Sequence, residues 1–247
     1  MKEQDRQRII RQKVVRMEHA GTLYDPAIPT GFAVLDKALG VGGLPRGRIV
    51  ELFGPSSSGK STLALLMVAH LLEEGGGAAW IDAEHVFDPA LAARLGVPVE
   101  RLPLAQPEHA EQALEIARKL VESGAVDLLV IDSAAALVPR LELATGLGES
   151  SHGLHSRVLA SGLRKLSSAA ARTGAVILVL NQTRGRADEG ETSAGGPPLK
   201  LYAAVRIALD APRANHLRFR VLKNKAGKAF TEGKLRWESG WLLTESP

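Results

Sequence analysis

Ile49-Val50-Glu51-Leu52-Phe53 leads directly into Gly54-Pro55-Ser56-Ser57-Ser58-Gly59-Lys60-Ser61-Thr62. A short apolar, β-branched run thus ends in a full G-x-x-x-x-G-K-[ST] loop, and a helical pattern opens at Ser61 and continues over 61–74. Strand, glycine-rich loop and helix in this order surround a phosphate with backbone N–H groups, and the helix start adds partial positive charge. Gly54 and Gly59 permit the tight path, with Pro55, Ser56, Ser57 and Ser58 between them. Lys60 neutralises β and γ phosphates, Ser61 offers a hydroxyl to Mg2+, and Thr62 completes the nucleotide-binding set. ATP and Mg2+ are the cofactors this pattern implies.

Reading outward, similar apolar stretches recur at 78–82, 128–132 and 175–181, with helical patterns at 89–95, 108–123 and 154–173. In 111–121, Ala113, Ala117 and Leu120 or Val121 form one stripe, as an amphipathic crossover helix requires. The strands are apolar nearly throughout, the mark of parallel strands covered on both faces. The expected class is therefore α/β, a mostly parallel central sheet flanked by helices. After Asn181, the polar and glycine-rich stretch 183–198 reads as a long surface loop. Segments 203–209 and 217–222 alternate apolar with basic residues, so they read as half-exposed strands forming an antiparallel C-terminal edge. Residues 1–27 read as a basic helical arm and 28–247 as one core domain.

The 247 residues are 45% hydrophobic and 23% charged, which excludes disordered, collagen-like and coiled-coil classes and predicts one globular core. With 0 Cys there is no disulfide framework, no Cys-ligated zinc and no thiol nucleophile; a cytoplasmic location is the simplest reading. The longest apolar run, 63–72, is broken by His70 and is too short to cross a bilayer, so no membrane partner is expected. Residues 1–18 mix six basic with three acidic side chains and lack the apolar stretch of a secretory signal. The net charge is +4, yet ten Lys and Arg face only Asp210 and Glu232 between Lys200 and Arg236. That segment suits a polyanion, or forms a solvated basic face.

Two further features belong near the phosphates. Asp132 closes the apolar run 128–132, where a second acidic position beside the metal is needed; the alternative is a helix cap, because Ser133 and small residues follow. Asp82 ends the run 78–82 and Glu84 lies just beyond it, at the strand end where open α/β sheets bind ligands. Either could serve as the base that activates water, and the residues alone do not choose.

The chain resembles the bacterial RecA family of recombinases. The resemblance covers about residues 28–230 and rests on Thr30-Gly31, 38–45, 47–51, the phosphate loop, 81–85 with Asp88-Pro89, 123–127 and Ile131-Asp132-Ser133. Arg164-Lys165-Leu166, Asn181-Gln182, Gly195-Gly196 and Lys223-Asn224-Lys225 continue it. It implies a RecA-type P-loop NTPase core and a DNA-dependent ATPase that forms filaments on single-stranded DNA in homologous recombination, DNA repair and the DNA damage response. It assigns Glu84 as the water-activating carboxylate, Gln182 as γ-phosphate sensor, Asp88 as an adenine neighbour, and Lys223 and Lys225 as cations lent to ATP on an adjacent copy. Residues 141–154 and 183–196 correspond to two DNA loops, with Arg157, Arg164, Gly195 and Gly196 at backbone-contacting positions.

Several departures from the family pattern are visible. The sequence stops at Pro247, so the C-terminal domain is expected to be absent, and the N-terminal arm is short. The second loop is shortened, lacks aromatic residues and carries Asp188, Glu189 and Glu191, which opposes phosphate charge. Leu91 and Leu201 stand where the family has aromatic residues. Two functions are therefore carried forward: a compact recombinase, and a RecA-like accessory module that uses ATP as an assembly switch beside a polymerase or repair-protein partner without performing strand exchange.

Overall fold

The computed structural model describes residues 27–145, 153–184, 192–193, 196–211, 215–238 and 241–244. The expected arm therefore lies outside the described residues apart from Ala27, as do Gly195 and most of the second loop. In chain order the elements are β1 (Ala27–Ile28), α1 (Ala33–Leu39), β2 (Leu44–Pro45), β3 (Ile49–Gly54), α2 (Lys60–Glu73), β4 (Ala78–Asp82), α3 (Pro89–Arg94), β5 (Leu104–Ala105), α4 (Ala110–Glu122) and β6 (Leu128–Asp132). There follow α5 (Arg140–Ala144), α6 (Leu154–Thr173), β7 (Val176–Arg184), β8 (Thr192–Ser193), α7 (Pro197–Tyr202), β9 (Val205–Leu209), β10 (His216–Asn224), β11 (Thr231–Glu238) and β12 (Trp241–Thr244).

One sheet organises the molecule in the order β12-β11-β10-β9-β3-β7-β6-β4-β5, with β8 attached to β7. From β9 to β5 every neighbouring pair is parallel, and β10, β11 and β12 continue antiparallel. Alternate side chains supply two cores, as the two-residue period of a strand requires. Val50, Leu52, Trp80, Val130 and Leu178 join α1 and α2 on one face. Ile49, Ile81, Ile131, Ile177 and Val179 join α4 and α6 on the other.

The structure corrects three readings. β9 is a central parallel strand, buried at every position, rather than half-exposed. Its Arg206 is tolerated there because the guanidinium pairs with buried Glu51 of β3 and lies 4.6 Å from the Phe53 ring centroid, while Asn181 Nδ2 donates to the other Glu51 oxygen at 2.9 Å. An ion removed from water needs such partners. The span 183–198 is not loop throughout: Thr183 and Arg184 extend β7 and pair with β8, and Pro197 and Pro198 occupy the first positions of α7. Proline suits that place, where a backbone N–H has no helical acceptor. Finally, β1, β2, β5 and the helices α1, α5 and α7 carry no strong periodicity and escape the pattern reading.

Candidate functional site

The strand order β3-β7-β6-β4 places four strand ends side by side, with Gly54 opposite Gln182 and Asp82 opposite Asp132. Only glycine fits at position 54, because a Cβ would come within 2.6 Å of the Leu209 carbonyl oxygen. Gly59 has φ +86 and caps α2, and the Trp237 ring of β11 stands 3.0 Å from where its Cβ would be. Trp237 therefore packs beneath the loop. Lys60 bends back over the loop and donates to Pro55 O at 2.8 Å, Gly54 O at 3.3 Å and Ser58 Oγ at 3.4 Å. Burial lowers its pKa, and the nearby Asp132 and Glu84 carboxylates act in the opposite direction.

Asp132 is buried and accepts a 2.7 Å hydrogen bond from Ser61 Oγ. It is not a helix cap. A carboxylate and a hydroxyl meeting at the start of α2 form an all-oxygen donor pair, whose chemistry would suit a hard cation such as Mg2+. Burial pushes the Asp132 pKa up to about 6; the Ser61 hydrogen bond lowers it, Glu84 and Asp82 raise it, and Lys60 lowers it.

Asp82 and Glu84 have different tasks. Asp82 is buried and accepts from Val86 N at 3.2 Å, Phe87 N at 2.9 Å and Gln106 Nε2 at 2.9 Å, so it shapes the segment after β4. Glu84 faces the strand ends, where Oε1 accepts from Ser133 Oγ and, at a long 3.5 Å, from Gln182 Nε2. Geometry thus separates two carboxylates that the residues alone left equivalent. Ser133 is a site residue the sequence reading missed as such; its signal was its place directly after Asp132. Asp88 is exposed and caps α3, accepting from Ala90 N at 2.8 Å and Leu91 N at 3.1 Å.

The remaining predicted residues lie elsewhere. Arg157 and Arg164 are both exposed along α6, and neither forms a salt bridge among the described residues. Gly196, at φ +71, approaches Ser156 in the first turn of α6, so the end of the second loop meets the helix that carries both arginines. Lys223 donates to Lys200 O at 2.7 Å and Leu201 O at 3.3 Å, at the end of α7. Burial lowers its pKa, with Lys225 and Arg206 adding to the effect and Glu51 opposing it. Lys225 is exposed, and its N–H bonds Ala204 O just before β9 begins. The lysines thus sit toward the edge where β3 and β9 start, whereas Lys60 sits where β3 ends.

The family model for the RecA N-terminal domain matches residues 4–237, reaching further toward the N-terminus than the motif blocks do. The chain belongs to the RecA family. Protein RecA of Bifidobacterium breve is 48% identical over 216 residues, covering 82% of this chain and 55% of that protein. Protein RecA of Chloroflexus aggregans is 46% identical over 230 residues, covering 88% of this chain and 66% of that protein. This RecA-family chain thus spans between about half and two thirds of the length of these relatives. The crystal structure of the RadB recombinase superposes with a TM-score of 0.71 at 23% identity, covering 89% of this chain and 100% of that one, which supports the fold.

Asp132 gives this RecA-family chain a pH signature. Between the ordinary value of 3.8 and about 6, the folded chain holds a proton that the unfolded chain releases. Stability from this group is full below 3.8 and is lost as pH rises through 6. The whole rise corresponds to roughly 3 kcal/mol, of which roughly 1–2 kcal/mol falls between pH 5 and 7.5. Without Mg2+ and nucleotide, the wild-type chain is therefore expected to lose that much more stability than Asp132→Asn across this interval, as read from denaturant unfolding at each pH. Parallel pH dependence of the two chains would show that Asp132 is ionised throughout.

Proposed function

We propose that the chain is an ATP-dependent, single-stranded DNA-binding ATPase of recombination and DNA repair, whose active site is completed by a neighbouring copy. The observation that carries this reading is the separation of two sets of groups across one sheet. Lys60, Ser61, Asp132, Glu84 and Gln182 converge where parallel strands end. Lys225 lies where β3 and β9 begin, about 17 Å away along a six-residue strand. Cations placed there suit the triphosphate of another copy better than their own. A contact that joins different ends of identical chains is heterologous and propagates as a ring or filament.

In this reading the loop amides and Lys60 bind the phosphates, and Ser61 and Asp132 would hold Mg2+, which would supply positive charge beside the phosphates. Glu84 accepts the proton of attacking water, Ser133 and Gln182 orient its carboxylate, and Asp88 borders the base. Lys223 and Lys225 stabilise transition-state charge in trans. For Lys223 this requires leaving the carbonyls of Lys200 and Leu201. Arg157, Arg164, Gly195 and Gly196 supply sequence-tolerant backbone contacts to DNA.

One observation favours the accessory reading, in which ATP drives assembly without strand exchange: the acidic, aromatic-free composition of 183–196. ATP turnover measured with and without single-stranded DNA, at increasing salt, separates the two. The ATPase reading expects DNA stimulation that fades steeply with salt as phosphate contacts are lost. Turnover indifferent to DNA would move the assignment to the accessory module.

A further inference from the structure

Phe230 is the most exposed large apolar side chain among the described residues, at 83%, and it has φ +61. A bulky residue in that region is an outlier, and a turn alone would favour glycine or asparagine. The conformation is fixed by the Phe230 N–H bond to Val221 O at 2.7 Å and the adjoining Thr231 Oγ1 bond to Ala38 O at 2.9 Å. The chain thus holds an aromatic ring outward in a strained backbone and leaves it uncovered. Such an observation points to a contact made elsewhere. Exposed Lys225 and Lys228 precede it in the connection between β10 and β11, at the same end of the sheet as the start of β9.

A second pair of exposed apolar side chains lies at the opposite end. Val86 is 66% exposed and Leu91 36% exposed, just beyond the end of β4. Asp82 clamps the amides of Val86 and Phe87, and Asp88 caps the turn carrying Leu91, so both apolar side chains stand on fixed backbone. In sequence Glu84 precedes this pair and Asp88 lies between its members, while Lys225 and Lys228 precede Phe230. Exposed apolar side chains thus stand at the two ends of one chain, with basic residues near them in sequence at one end and acidic residues at the other.

We propose that Phe230 is the apolar anchor of the contact between copies, seated on Val86 and Leu91 of the next chain. This rests on the head-to-tail reading above and adds the residues that set the register of docking. Ring burial at the centre of a contact rimmed by paired charges is the usual arrangement of a dominant binding residue. It also carries Lys225 toward the Glu84 side of the neighbouring phosphate site.

The sequence has no cysteine, so introduced thiols report without background. Phe230→Cys and Val86→Cys chains are mixed with Mg2+ and a nonhydrolysable ATP analogue and oxidised mildly. Lys225→Cys with Glu84→Cys serves as an independent head-to-tail pair. Disulfides form only where Cβ atoms come within about 4.5 Å. Mixed dimers from both pairs support the anchor. Crosslinking of the second pair alone overturns it while leaving head-to-tail assembly intact, and the absence of both overturns the assembly reading and the anchor together. In parallel, Phe230→Ala is expected to raise the concentration for half-assembly about tenfold or more in light scattering. Binding of a fluorescent ATP analogue by the dilute variant stays unchanged; assembly at the wild-type concentration would sink the proposal.

Discussion

Lys60→Ala is expected to weaken binding of Mg2+·ATP about 100-fold or more, as measured by titration with a fluorescent nucleotide analogue. The magnitude follows from what the ammonium now does. It satisfies itself on Pro55 O, Gly54 O and Ser58 Oγ, a set of neutral acceptors that a triphosphate would replace with anionic oxygens. Charge-assisted hydrogen bonds contribute about 1.5–3 kcal/mol each, so two of them account for about 3 kcal/mol or more. That corresponds to roughly two decades of affinity or more. The fold should tolerate the change, because the loop is held independently by the Gly54 approach to Leu209 O and the Trp237 packing against Gly59. Unfolding midpoints close to wild type, together with lost binding, are the expected pair of results. Unchanged affinity would remove the phosphate loop from the nucleotide site.

That loop was also the most legible part of the chain. Its motif is local, and a local motif needs no tertiary information beyond a strand before it and a helix after it. The buried parallel strands β4 and β6 and the helix α6 were equally readable, because their periodicity agrees with their environment. Arg206 shows where that agreement fails. An alternation of apolar and basic residues normally means one wet face, yet β9 is covered on both sides and its charge is answered by Glu51 from a strand 155 positions away in sequence. The lone acid in Ile49-Val50-Glu51-Leu52-Phe53 was the available signal, but its partner could not be named without the strand order. The choice between Asp82 and Glu84 has the same cause. Asp82 ends β4 and Glu84 follows it, and only the chain path that brings Val86, Phe87 and Gln106 around Asp82 assigns it to structure. The outward ring of Phe230 is a further case, since exposure is a property of what fails to pack on a residue.

Replacing Glu84 by Gln is expected to slow turnover about 100-fold or more while leaving nucleotide affinity within a few-fold of wild type. The substitution is nearly isosteric. The glutamine carbonyl can still accept from Ser133 Oγ, and Gln182 Nε2 keeps a neighbour near its present 3.5 Å. What disappears is the capacity to take a proton from water, so the loss should fall on kcat and not on binding. Asp82→Asn supplies the contrast. Its three donors, Val86 N, Phe87 N and Gln106 Nε2, would face an amide with only one accepting oxygen, in a buried position. Leaving buried donors unpaired costs about 1–3 kcal/mol, so this variant should lose stability, and any loss of turnover should track the disordered segment carrying Glu84. The two variants therefore predict opposite signatures in a paired measurement of unfolding midpoint and single-turnover rate. Full turnover in Glu84→Gln, with a collapsed rate in a stable Asp82→Asn chain, would reverse the assignment and make Asp82 the group that activates water.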